Sequence, residues 1–326
     1  MSDDVLNSDM FDDQDVSIDE LLLQDDELLE EDLEEYGYSG KTPNLYRGKA
    51  FNGEELYCMT AGQESQLILV AGMFHSGKTT MEMAIYQMFL RGVNKKLKFA
   101  GSRTLVDVAE RSQDMRAVSD NSEHETARTS SAVSDIFLHI AVMDENQKKH
   151  NLVFPDLAGE VFKLENAEKN ENILKQFIGV RQVIVLVDGE KLSGREKNKA
   201  LLDSKNMITL LLQQGIISDH TRVHLVYSKN DMILSSSNPQ LEEAINRNND
   251  KVRAMLGEKQ VNLRIHRISA ISSRTEKTAN FEGLEELLEA CLENLEYNQG
   301  SRIDPQAVYA DRTWVRSSFD QFAWKG

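Results

Sequence analysis

Cysteine is almost absent: Cys58 and Cys291 are the only two in 326 residues, and neither stands in a CxxC pair or beside histidines. A chain so poor in thiols has no disulfide framework and no thiolate zinc site, and both residues read as small core hydrophobes. Long apolar runs are missing too. None approaches the roughly 20 residues that a bilayer-crossing helix needs, so no membrane association is expected. The first residues, MSDDVLNSDMF, lack the basic and apolar regions of a signal peptide, residue 2 is not Gly, and the last residues, FAWKG, carry no prenylation box. The expectation is a cytoplasmic, unanchored protein.

Positive charge is missing from one segment. Residues 1 to 35 hold sixteen Asp and Glu and no Lys or Arg, so of the formal net charge of -17 only -1 belongs to the remainder. This acidic arm, taken as residues 1–45, repels nucleic acid and has too few apolar residues to fold alone. It still carries a pattern. Ser17 and Glu20 have capping-box spacing, and Ile18, Leu22, Leu29, Leu33 and Tyr36 recur at steps that line one helical face. The arm is either a solvated tail or a helix that docks on a protein partner or on the protein's own body.

From about residue 50 the order becomes regular. QLILVAG, DIFLHIAVMD, KHNLVFPD, RQVIVLVDG, RVHLVYSKND and LRIHRISA are short, rich in Val, Ile and Leu, and end near Gly, Asp or Ser, as strands do. TTMEMAIYQMFL, ENILKQFIG, LLDSKNMITLLLQQ, LEEAINRNNDKVRAML and LEELLEACLENL have helical character. The alternation predicts an α/β, three-layer P-loop NTPase fold over residues 50–298, with a mostly parallel central sheet. The polar link ENQKKH, residues 145–150, predicts one antiparallel hairpin and hence one antiparallel edge strand.

GMFHSGKT, residues 72–79, lies between the first strand and the first long helix and matches G-x-x-x-x-G-K-T. Such a loop surrounds a β-phosphate with backbone N–H groups and a helix N-terminus, its Lys reaches the β/γ oxygens, and its hydroxyl residue holds Mg²⁺. Here these are Gly72, Gly77, Lys78 and Thr79, with His75, Ser76 and Thr80 in reach of the phosphates. His75 either touches a phosphate oxygen or points to solvent.

Two later motifs choose the base. In DLAGE, Asp156 is placed to hold Mg²⁺ and the Gly159 N–H to meet the γ-phosphate. In SKND, the Asp231 carboxylate can accept both the N1–H and the 2-amino protons of guanine, whereas adenine offers neither, and the Lys229 stem can lie over the base. In ISAIS, Ser269 precedes Ala270, whose N–H can donate to guanine O6. Buried polar groups that read a base edge penalise the wrong base because they are left unpaired.

These motifs, in this order and at these strand ends, resemble those of Ras-like GTPases of the translation-factor-related class over roughly residues 60–298. FAGSRTLVDVAER, a later Arg-Thr pair (Arg128, Thr129) and FPDLAGE further resemble the double-GTPase proteins of bacterial conflict systems. That resemblance implies a GTPase acting beside a partner GTPase or effector in defence against phage.

Several positions depart from the Ras-like pattern. Met73, Phe74 and His75 are bulky where small residues are usual, and Phe74 would crowd the γ-phosphate. Glu160 stands where many relatives use Gln to orient water; it is a base, a water-holder or an inert ion-pair partner. Ser228 replaces Asn or Thr and offers a hydroxyl without an amide. The segment near 97–134 is longer than a minimal GTPase needs and contains an insertion. Thr129 is the candidate switch ligand to Mg²⁺, with Thr126 its competitor, and Arg128 could reach phosphate in cis. The tail, residues 299–326, interleaves Tyr309, Trp314, Phe319, Phe322 and Trp324 with Arg302, Arg312 and Arg316; it suits packing on the protein or a partner better than a nucleic-acid groove. The expectation is a Mg²⁺-dependent GTPase that binds GTP and GDP and changes partners, with Glu160, Lys78 and Arg128 as candidate catalytic residues. A GTP-holding scaffold and a P-loop ATPase or kinase are the alternatives.

Overall fold

The computed structural model describes residues 48–62, 64–119, 136–271 and 280–293. The acidic arm, the aromatic tail, and Thr126, Arg128 and Thr129 lie outside the described residues.

In chain order the elements are α1 (Gly53–Gly62), β1 (Ser65–Gly72), α2 (Lys78–Leu90), β2 (Lys98–Gly101), α3 (Leu105–Ser119), β3 (Phe137–Met143) and β4 (Lys149–Pro155). There follow α4 (Glu171–Lys175), β5 (Gln182–Asp188), α5 (Gly189–Ser193), α6 (Lys197–Gln213), β6 (Arg222–Ser228), α7 (Asn230–Leu234), α8 (Leu241–Gly257), β7 (Asn262–Arg267) and α9 (Leu284–Leu292). All six expected strands form. Their central members are buried on both faces, so they read in the sequence as unbroken apolar runs.

The strands make one seven-stranded sheet in the order β2-β3-β4-β1-β5-β6-β7. β1 lies parallel to both β4 and β5, and β6 and β7 continue the parallel array. β3 runs antiparallel to β4 through the hairpin at 145–148, with Ile140 opposite Leu152. Beyond β3 lies β2, a four-residue strand antiparallel to it, which occupies the sheet edge that the hairpin alone would have left to β3.

Side-chain alternation along β1 divides the core in two. Leu69 and Ala71 join Val185, Val187 and Leu225 under Ile208 and Leu211 of α6 and Ile245 and Val252 of α8. Ile68 and Val70 join Ile184, Leu186 and Val226 under Met81 and Ile85 of α2 and Leu284 and Leu288 of α9. Helices on both faces of a parallel sheet give the three layers expected.

The stretch taken from the sequence as an insertion contributes β2 and α3. Ahead of it, the Glu285 carboxylate of α9 accepts the N–H groups of Lys95, Lys96 and Leu97 at 2.6–3.0 Å, which ties the exit of α2 to the last helix. At its start α3 is held by the Asp107 N–H donating to the Gly48 carbonyl at 3.0 Å. Before β1, α1 begins with a reciprocal cap: Glu55 N–H donates to the Asn52 side-chain oxygen, and Asn52 N–H to the Glu55 carboxylate, each at 2.9 Å.

Candidate functional site

The carboxyl ends of β1, β4, β5 and β6 stop side by side. Gly72 is in register with Leu186, and Asp188 with Ser228, so the segments that follow gather along one border of the sheet. β1 is also where the chain changes direction across the sheet, the place at which ligands enter open α/β folds.

The loop after β1 closes on itself. Gly77, at φ 91°, caps α2, and the Ser76 N–H donates to the Met73 carbonyl at 3.1 Å. His75 is also left-handed, at φ 64°, and exposed; its ring meets that of Phe74 edge-on at 3.7 Å between centroids. The Phe74 ring is 44% exposed, so much of the bulk expected to crowd the phosphate stands in solvent. Gly72 has no room for a side chain, because the Ser76 hydroxyl fills the place a Cβ would take. That hydroxyl is buried and finds no hydrogen-bond partner among the described residues. Lys78 folds back, its ammonium donating to the Gly72 carbonyl at 2.8 Å. Burial lowers its pKa, against the raising influence of Glu82, Asp156 and Glu160. The ammonium thus borrows a carbonyl of its own loop. Thr79 and Thr80 follow, half-buried.

The DLAGE turn presses on this loop. A Cβ on Gly159 would lie 2.5 Å from the Phe74 nitrogen and 2.8 Å from the Met73 carbonyl carbon, so only glycine permits the approach. Glu160, half-buried, starts the short turn Gly159–Phe162, and its own carbonyl accepts the Asn166 amide at 3.1 Å. Its charge is one of those that raise the pKa of Lys78. Asp156 is 5% exposed and bonded to the Arg111 guanidinium of α3 at 2.6 Å.

Three loops build the base side. The Ser228 hydroxyl donates to the Ser76 carbonyl at 2.8 Å, with the Val187 carbonyl at 3.2 Å, so it ties β6 to the phosphate loop without an amide. Lys229 stands in left-handed backbone, and its ammonium pairs with Asp188 at 3.1 Å and Glu190 at 2.6 Å. These carboxylates, with the Glu190 hydrogen bond first, hold its pKa up against desolvation. Gly189 must lack a side chain because the Ser228 and Lys229 carbonyls fill that space. Lys191 donates to the Phe74 carbonyl at 3.2 Å. Asp231 is buried, and its N–H donates to the Ser269 hydroxyl at 3.1 Å, joining SKND to ISA. The Ser269 N–H is used by the Glu282 carbonyl, and Ala270 beside it is half-buried.

The structure thus brings together Gly72, Ser76, Gly77, Lys78, Asp156, Gly159, Glu160, Ser228, Lys229, Asp231 and Ser269. Sequence reasoning missed Arg111, Glu82, and the Asp188–Glu190–Lys191 turn. Asp107 and Arg111 stand four apart in LVDVAER, the spacing of a helical ion pair. Glu82 stands four residues after Lys78 on α2. It is buried with Oε2 unpartnered, and burial, reinforced by Asp156, pushes its pKa up to about 8.

The residues fit a nucleoside triphosphate with a divalent cation: a glycine cradle, a buried orphan hydroxyl in the loop, a folded-back lysine, and a threonine and a carboxylate of the kind that ligate Mg²⁺. This is a P-loop nucleotide site carrying guanine-type base motifs. The family model for Double-GTPase 2 matches residues 66–292, and the chain belongs to that family of P-loop GTPases. None of the curated proteins matches the chain. Among solved structures, the signal recognition particle receptor SRβ–GTP/SRX complex from Chaetomium thermophilum is similar at a TM-score of 0.39 and 12% identity, over 69% of this chain and 96% of that one. The mammalian SRP receptor is similar at 0.37 and 11%, over 69% and 100%.

Proposed function

We propose that the protein is a GTP-binding and GTP-hydrolysing switch that works with a protein partner in defence against phage. The observation that supports the hydrolytic reading is the junction of DLAGE with the phosphate loop: Gly159, the residue before Glu160, lies against the Met73–Phe74 peptide. Thr79 and Asp156 would hold Mg²⁺, with Thr129 as the further candidate, and the bound cation would neutralise charge on the phosphate oxygens. Lys78 exchanges the Gly72 carbonyl for a phosphate oxygen, and Glu160 orients or deprotonates the attacking water. Arg128 is the candidate for a cationic contact in cis. Asp231 accepts from the guanine edge, and the Ala270 N–H donates to O6. The acidic arm 1–45, through its Leu22, Leu29 and Leu33 stripe, and the aromatic tail 299–326 are the proposed partner contacts, and the protein acts in the cytoplasm.

Single-turnover cleavage of GTP tests this. Glu160→Ala should leave GTP affinity nearly unchanged and slow cleavage at least about tenfold, or ~1.4 kcal/mol of barrier, with Glu160→Gln in between. Parental rates in both variants refute a role for Glu160. A second reading, a GTP-holding scaffold, is favoured by the Arg111–Asp156 ion pair, which occupies the carboxylate that hydrolysis needs for its metal. Absence of cleavage in the parent protein supports that reading.

A further inference from the structure

We infer that Arg111 is a metal gate: its guanidinium holds Asp156 in competition with Mg²⁺ and is displaced to Glu82 when Mg²⁺ and GTP bind. The inference rests on the reading of Asp156 as the metal-side carboxylate.

The geometry is that of a side chain with two fixed contacts and a third group within its field. Arg111 Nε bonds Asp107 at 2.6 Å, one turn earlier on α3, and NH1 bonds Asp156 at 2.6 Å, 45 residues away. Asp107 is itself anchored through its N–H to the Gly48 carbonyl, and Lys49 pairs with Glu110 on the next residue before Arg111. The helix start is therefore fixed, and the guanidinium moves as a side chain pivoting on Asp107 while α3 stays in place. The single charge-assisted bond from NH1 to Asp156, oriented by the second bond to Asp107, competes with a divalent ion for that carboxylate.

Glu82 supplies the second seat. It lies on α2, the charges of Asp156, Arg111 and Lys78 act on its carboxyl, and its buried Oε2 has no hydrogen-bond partner among the described residues. A buried acceptor left open is a cost to the fold unless some state uses it. Once Mg²⁺ takes Asp156, the two cations repel and Arg111 needs another acceptor, which a neutral carboxyl still offers. Glu82 is within its field, and the pivot on Asp107 is kept in both positions. The cluster then has two arrangements, one with Asp156 paired to arginine and one with Asp156 given to the metal, and the nucleotide with its cation selects between them.

The test is a Mg²⁺ titration of binding of a fluorescent GTP analogue to the full chain, with parent, Arg111→Gln, Arg111→Lys and Asp156→Asn compared and folding checked by thermal melting. Arg111→Gln should lower the half-saturating Mg²⁺ concentration at least about fivefold, because Asp156 no longer has to be released from a charge-assisted bond. Arg111→Lys, which keeps the charge but loses the rigid fork, should fall between Arg111→Gln and the parent. Asp156→Asn should raise the requirement. General damage to the site would also raise it, so the sign in the Arg111 variants separates gating from a structural role. An unchanged or higher requirement in both Arg111 variants, with Asp156→Asn raised, overturns the gate and leaves the proposed function standing. An unchanged requirement in Asp156→Asn overturns the assignment of Asp156 itself, and the gate with it.

Discussion

Replacing Glu82 by Gln should reverse part of the pH dependence of stability, and the sign follows from where the carboxyl sits. Burial and the neighbouring Asp156 push its pKa in the folded protein to about 8, whereas in the unfolded chain it has the ordinary value of 4.5. Between these values the native state keeps a proton that the unfolded state has lost. Stability is therefore greatest below the unfolded value, falls by about 1.4 kcal/mol per pH unit as pH rises, and has lost roughly 5 kcal/mol when pH passes the folded value. Gln has nearly the same shape and no proton to lose. Its amide carries its own cost for an unfilled hydrogen bond, about 1–3 kcal/mol, but that cost does not change with pH. His139 and His224, whose pKa values burial depresses to about 4 and about 3, titrate alike in both proteins and cancel in the difference. Urea denaturation of parent and Glu82→Gln at pH 5, 6, 7 and 8 reads the quantity directly. The stability difference should move in favour of the variant by about 4 kcal/mol from pH 5 to pH 8. A difference that stays constant across that range would refute a buried, neutral carboxyl beside Asp156.

Gly159→Ala forces a methyl group to 2.5 Å from the Phe74 nitrogen, so the turn or the loop must shift; a loss of about 1–3 kcal/mol and markedly weaker GTP binding are expected, and unchanged melting and affinity would show that the contact is slack. Ser228→Ala removes the donor shared by the Ser76 and Val187 carbonyls; chemical denaturation should show a loss of about 1–3 kcal/mol, and calorimetry a weaker affinity for GDP and GTP alike, since the anchor serves the loop and not the γ-phosphate.

The parts legible in the sequence were those whose signal is local. β1, the glycine loop and α2 are consecutive, and the strands buried on both faces, such as QVIVLVD of β5, are unbroken apolar runs whose length marks them as strands. β2 escaped because it has four residues, two of them exposed, and no alternation to read. α5 and α7 escaped because they have five residues each; α5 is set by an Asp188 cap and α7 by the left-handed Lys229, not by an apolar stripe. At the site, each motif declared its own residues but not their neighbours. Nothing local to DLAGE announces an arginine 45 positions earlier, because the Arg111–Asp156 pair exists only once α3 has packed against α2 in the folded chain. The Lys229–Asp188 pair joins the ends of β5 and β6 in the same way, through sheet register. Ser228, which has a hydroxyl where an amide is usual, donates to a loop carbonyl, a place that needs only an O–H.

Base recognition tests the account most directly. Asp231 is buried just past the end of β6, with its backbone bonded to Ser269 of the loop that carries Ala270, so the two elements proposed to read guanine are joined. Affinities of the parent and of Asp231→Asn should be measured by calorimetry for GTP, ATP and XTP in the same buffer. The account predicts that the parent binds GTP at least about a hundredfold more tightly than ATP, ~2.7 kcal/mol, and that Asp231→Asn moves the preference from GTP towards XTP, whose edge suits an amide. Equal binding of GTP and ATP by the parent, with no gain for XTP in the variant, would contradict it.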